Sequence, residues 1–153
     1  MPGIITMNGK MSMFRILLTA VFLAAWLTGC SKSDPQAELE AAVQRLQDSL
    51  EAKRTSDVLE QLHPQFSAQQ HYDRDWAKRT MTLMFLRHKQ VRVVAIGKRS
   101  EIDATYANRG HTRAEVALTG AEGLIPDSAR HYSVTLEWWR EGDEWQLARL
   151  DWE

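Results

Sequence analysis

The chain has 153 residues, with 19 Lys and Arg against 20 Asp and Glu, one cysteine and six tryptophans. A charge balance this near zero, with no basic stripe and no nucleic-acid-binding motif, argues against a nucleic-acid partner. A single cysteine excludes an internal disulfide, so the domain must be held by its core alone.

The amino-terminal segment comes first. Met1, Met7, Met11 and Met13 leave the true start open. Lys10 and Arg15 precede an uncharged run, Ile16–Leu27, of twelve residues. A bilayer-spanning helix needs about 20 apolar residues, so this run is too short to span and reads instead as the core of a secretory signal peptide. Leu27-Thr28-Gly29-Cys30 resembles the bacterial lipobox. That resemblance implies removal of residues 1–29, a diacylglyceryl thioether on Cys30 and acylation of the new amino terminus. Several acyl chains would anchor the protein to a membrane stably where one would not. Residues 30–36 form the lipidated terminus and a short tether. Ser31 follows the lipidated cysteine where the inner-membrane retention rule wants Asp. In a Gram-negative host this implies the outer membrane, with the domain facing the periplasm.

Residues 37–153 read as one α+β domain, helices first and strands after. Asp34 and Pro35 open a first helix with an apolar stripe at Leu39, Val43, Leu46 and Leu50. A short second helix, capped by Thr55 or Ser56, stops before Pro64. A third runs from about Arg74 to His88. Its apolar residues Trp76, Ala77, Met81, Leu83, Met84, Phe85 and Leu86 predict burial on more than one side. From Gln90 the period becomes two, predicting strands at Val91–Lys98, Glu101–Ala107 and Thr112–Thr119. A loop holding Leu124 and Ile125 follows, expected to fold back onto the core, or else to form a lid or a contact surface. Two last strands, about Arg130–Arg140 and Glu144–Trp152, close the chain as a hairpin.

Leu62, His63, Pro64 and Phe66, followed by Trp139, Arg140, Gly142, Trp145 and Leu147, give the chain a family likeness. It resembles the nuclear transport factor 2-like superfamily, also called SnoaL-like or cystatin-like. More narrowly it is similar to a group of uncharacterised proteobacterial lipoproteins in that superfamily. The resemblance implies three amino-terminal helices packed on a curved antiparallel sheet that forms a cone, often with a pocket at its open end. The superfamily hosts isomerases, dehydratases, binding modules and adaptors, so the fold does not fix an activity.

A ketosteroid-isomerase-like enzyme needs a carboxylate base in an apolar pocket and a donor at the forming oxyanion. Asp103 and Asp151 are the candidate bases; Tyr106 and Tyr132 are the candidate donors. The competing reading places the acids in solvent and the tyrosines half-buried in the sheet. A dehydratase-like reading needs a His oriented by a carboxylate, and the five histidines are scattered. No residue spacing indicates a metal site, a phosphate loop or a nucleophile, so no cofactor is expected. The leading expectation is a non-catalytic domain that binds a small apolar ligand or an envelope protein partner. A dimeric scaffold, pairing through the outer sheet face, is a third reading.

Four tryptophans, Trp138, Trp139, Trp145 and Trp152, crowd the last sixteen residues. The candidate pocket or surface aromatics are Trp76, Tyr106, Tyr132, Trp138, Trp139 and Trp145. Two registers are open for the final hairpin. An even turn places Trp138 with Trp145 and Leu147, with Arg149 and Asp151 following them inward. A three-residue turn places Trp138 with Ala148, Leu150 and Trp152 and leaves Trp145 outside with Trp139. A one-residue slip exchanges the two faces.

Metabolic labelling with a palmitate analogue tests the anchor: label is expected on the wild type and lost in Cys30→Ala. Equal labelling of both would refute it.

Overall fold

The computed structural model describes residues 34–120 and 130–153, which lie in one compact unit, Ser33–Glu153. Cys30 and the loop residues Leu124 and Ile125 fall outside the described residues. The elements in order are α1 (Pro35–Glu51), α2 (Thr55–Gln61), β1 (Leu62–Ala68), α3 (Arg74–Arg87), β2 (Val91–Ile102), β3 (Arg109–Gly120), β4 (Arg130–Glu141) and β5 (Glu144–Trp152). The five strands form one sheet in the order β1-β5-β4-β3-β2.

Helix α1 follows its expected pattern. The Asp34 carboxylate accepts the Gln36 N–H at 3.0 Å, satisfying one of the free donors of the first turn, and Pro35 sits where no donor is needed. Leu39, Val43 and Leu46 are buried and Leu50 half-buried. The polar side of the same helix does a second job. Gln36 Nε2 donates to Ser100 O at 2.7 Å, Gln47 Nε2 donates to Val93 O at 2.9 Å, and Glu51 Oε1 accepts the Val93 N–H at 2.9 Å. These side chains occupy backbone groups along the free edge of β2, which would otherwise template another strand. The other edge, β1, carries Pro64, which has no N–H to offer a neighbour.

Several expectations need correction. Residues 62–68 form a strand rather than a helix stop: β1 pairs parallel with β5, matching Leu62 to Leu147 and Ala68 to Leu150. The sheet is therefore mixed and not wholly antiparallel. Such a pairing depends on contacts some 80 positions apart, which local periodicity does not carry. The two strands expected across residues 91–107 are one long strand and a turn. Gly97, at φ +64°, holds a left-handed bulge between Ile96 and Arg99, and β2 continues through it to Ile102. The α2 N-cap is Arg54, not Thr55 or Ser56, and it makes no side-chain cap bond; its guanidinium pairs with Asp57 at 3.0 Å. Helix α3 begins at a true cap, Asp73, whose carboxylate accepts the Trp76 N–H at 2.8 Å. It is not buried on more than one side. Ala77 is its one buried residue, and Leu83, Met84 and Leu86 are 55%, 43% and 80% exposed. Its apolar composition suggested a buried helix, but α3 packs mainly on α2 and β1 and stands off the rest of the sheet.

The final hairpin adopts neither simple register. Gly142 and Asp143 form a two-residue turn, pairing Arg140 with Trp145 and Trp138 with Leu147. Between Glu137 and Trp138 the pairing then shifts by one, because Ala148 is an extra residue in β5. Beyond this bulge Leu136 pairs with Leu150 and Val134 with Trp152. Trp145 and Leu147 before the bulge, and Leu150 and Trp152 after it, consequently share the inner face. Asp151 and Arg149 are turned outward.

The narrow end of the cone is filled. Trp138 is fully buried, with its indole N–H donating to Thr112 Oγ1 at 3.2 Å. Leu39 of α1 lies against Gly110 of β3, where a Cβ would stand 2.6 Å from Leu39 Cδ2. Glu38 of α1 pairs with Arg140 of β4 at 2.7 Å and ties the helix to this end. Trp138→Ala is expected to lower unfolding free energy by about 3–5 kcal/mol in chemical denaturation. A loss under about 1 kcal/mol would show that the narrow end is not a packed core.

Candidate functional site: an apolar cavity in the open end of the cone

At the other end of the domain the space between the helices and the inner face of the sheet is not filled by side chains. A cavity of about 350 Å³ lies between the carboxyl half of α1, helix α3 and the inner face of the sheet. Val43, Leu46 and Leu50 come from α1, Trp76, Ala77 and Met81 from α3, and Val116, Val134, Leu136 and Leu150 from the strands. The strand residues among these are only half-buried because the cavity, not another side chain, lies over them. Its volume falls within the range of ligand pockets, about 300–1,000 Å³.

Among the described residues the polar lining is sparse. Gln47 is bound to Val93 O, and Thr112 Oγ1 meets Ser100 Oγ at 2.9 Å as well as the Trp138 indole. Thr80 and Lys98 complete it. No carboxylate and no histidine appears among the described lining residues. Acid–base chemistry of the isomerase or dehydratase kind needs such a group within hydrogen-bond reach of the reacting carbon.

Of the candidate site residues, Trp76 lines the cavity. Tyr132 shares the inner face, opposite Val116, and is half-buried. Trp138 and Trp145 are core. Tyr106 is 60% exposed in the turn between β2 and β3. Asp103 stands in that same turn, where its Oδ1 accepts the N–H groups of Thr105 at 2.8 Å and Tyr106 at 2.9 Å. Its other oxygen meets His111 Nε2 at 3.2 Å. The Tyr106 and Thr105 hydrogen bonds, aided by His111, hold the Asp103 carboxyl below the ordinary aspartate range. That is the direction for a turn-forming carboxylate and the reverse of a base raised by an apolar pocket. Asp151 is exposed on the convex face, opposite Thr135.

Trp139 also lies on the convex face, inside a polar ladder. Arg109 packs over its ring at 4.0 Å and Arg149 at 5.4 Å, and the buried ring of His63 meets it edge-on at 4.8 Å. Glu137 accepts from the Trp139 indole at 2.6 Å and from Arg109 at 2.9 Å. Partial burial pushes the Glu137 carboxyl upward. The hydrogen bonds from Trp139 and Arg109, with the Arg109 charge, outweigh it and leave the group below its usual range. These groups satisfy one another across β3, β4, β5 and β1, and the ladder serves the sheet rather than a ligand. No group of three metal-ligating side chains occurs among the described residues, and no described helix is long and apolar enough to cross a membrane.

A feature that periodicity did not reveal is a second aromatic cluster at the cavity wall. Tyr72 stacks on Trp76 at 4.4 Å, and Trp152 lies nearly parallel to both at 6.4 and 6.1 Å. It fastens the start of α3 to the end of β5. Only the pairing of β1 with β5 brings these distant rings together.

No family model and no curated relative matches the sequence. Solved structures do match in fold. Bd1075 of Bdellovibrio bacteriovorus superposes with a TM-score of 0.65 at 9% identity, over 76% of this chain; the match spans 39% of that protein's length. A dehydratase candidate of the NTF2-like family from Streptomyces avermitilis gives 0.63 at 10% identity, covering 77% of this chain and 94% of that one. A scytalone dehydratase candidate from Novosphingobium aromaticivorans gives 0.62 at 10% identity, covering 76% and 81%. The domain has the NTF2-like fold.

An NMR titration is expected to place the Asp103 pKa below the ordinary value of about 3.9. The stabilisation linked to this group is present at neutral pH and is lost as pH falls through its folded pKa. A raised pKa would return Asp103 to candidacy as a general base.

Proposed function

We propose that this is a lipid-anchored envelope protein whose domain acts as a non-catalytic receptor for a small apolar ligand, held in the open end of the cone. The carrying observation is the cavity itself: about 350 Å³ of unfilled, hydrocarbon-walled space in a domain whose other end is closely packed. Burying a ligand's apolar surface there would gain about 25 cal/mol per Å² removed from water. The lipobox resemblance at Cys30 supports the anchor and the envelope location. The non-catalytic reading is supported by the positions of Asp103 and Asp151, one in an outer turn and one on the convex face. Dehydratase candidates share the fold, but a fold carries no activity without its site.

A second reading has its own observation. Leu83, Met84 and Leu86 form an exposed apolar end on α3, and such surface favours contact with an envelope partner. The convex face supports a dimer less well. Val94 and Ile96 are exposed there, but much of the rest is tied up in the Arg109–Trp139–Arg149 ladder.

A neutral fluorescent probe, N-phenyl-1-naphthylamine, tests the cavity. The wild type is expected to enhance its emission saturably. Leu136→Trp, which puts an indole ring into the cavity, is expected to abolish the effect while leaving the far-UV dichroism unchanged. Unaltered binding by that variant would place the probe elsewhere and overturn the reading.

A further inference from the structure

Two of the cavity's walls come from one stretch of chain, residues 76–100, which supplies Trp76, Ala77, Thr80 and Met81 of α3 and Val93, Ala95 and Lys98 of β2. This stretch holds seven Lys and Arg and no Asp or Glu, within a chain whose net charge is −1. The imbalance is local to this stretch. Lys98 is the one charged side chain among the described lining residues. Its Nζ donates not to a carboxylate but to the amide oxygen Oε1 of Gln44 at 3.2 Å. Gln44 in turn donates to Asp48 at 2.9 Å, so an acid lies one hydrogen bond further out. Glu51 on the same helix is engaged by the Val93 N–H.

An uncharged ligand would leave Lys98 on the neutral amide of Gln44. A cation would be repelled by the Lys98 ammonium. From these observations we infer that the ligand is an anionic amphiphile, a single hydrocarbon chain ending in a carboxylate or phosphate. Its chain lies among Val116, Val134, Leu136 and Leu150, and its charged end meets Lys98, displacing the neutral amide of Gln44. The lysine stem lies along the apolar wall while its ammonium stays at the wet rim, where a head group would sit. The exchange replaces a bond to a neutral acceptor by a charge-assisted one, which is stronger. The basic stretch around it adds a field that favours an anion before contact.

This inference rests on the cavity being a ligand site, and the test separates the two. Octanoate, octanol and octylammonium share one chain and differ in the head. Calorimetric titration of the full chain is expected to show octanoate binding about tenfold more tightly than octanol, and octylammonium the weakest of the three. Lys98→Met is expected to bring octanoate down to the octanol level and to leave octanol unchanged, a pattern that misfolding would not produce. Octyl phosphate, run alongside, is expected to share the octanoate preference, and its rank against octanoate tells which anion is the better fit. Equal binding of octanoate and octanol overturns the anionic inference and leaves the cavity reading standing. So does a preference that survives Lys98→Met. Failure of all the ligands to bind overturns both.

Discussion

The extra residue in β5, Ala148, is the constraint on which the rest of the molecule depends. In an unbroken hairpin, a strand that buries Trp145 and Leu147 must expose Leu150 and Trp152. By opposing two residues to one between Glu137 and Trp138, the bulge brings all four onto the same face. The inner face thereby carries enough apolar area to hold α1 and seat a buried Trp138, and Arg149 and Asp151 are released to solvent. A bulge also bends and twists its strand. The curvature separates a narrow end, packed around Trp138, Leu39 and Gly110, from a wide end that three helices do not fill.

The edges and the cavity follow from that curvature. Helix α1 lies along β2, where Gln36, Gln47 and Glu51 take up backbone groups that would otherwise be open to pairing. Helix α3 packs little on β2. It leans on α2 and β1, pinned at its start by Tyr72, Trp76 and Trp152. The unfilled space is therefore a consequence of how the sheet bends and where the helices are held. Its wall is apolar because the strand residues facing it would, in a flatter sheet, have been core.

Much of this was legible in the sequence, and what was not has a physical reason. The cap at Asp34, the stripe Leu39–Val43–Leu46 and the alternation of β3 and β4 are local patterns, and each appears where expected. The parallel strand β1 was not, since Pro64 reads as a stop and the partner lies at the far end of the chain. The run Glu101–Ala107 looked like a strand but is divided by the Asp103 turn, in which one carboxylate binds two successive N–H groups. The apolar content of α3 suggested burial, but composition does not say whether a neighbour is within reach. The two hairpin registers were both partly right, since the bulge uses one on each side of Ala148. Asp103 and Asp151 could be named as acids from the sequence, but their distance from the cavity could not.

The central claim is that the wide end of the cone is a binding cavity and not a crevice of the packing. A crystal of the protein grown with a terminally brominated alkanoate tests it most directly, by the anomalous signal of the bromine. The account predicts a peak inside the cone among Val116, Val134 and Leu136, with the carboxylate toward Lys98. A bromine on the convex face, or an empty cavity at saturating ligand, would contradict it.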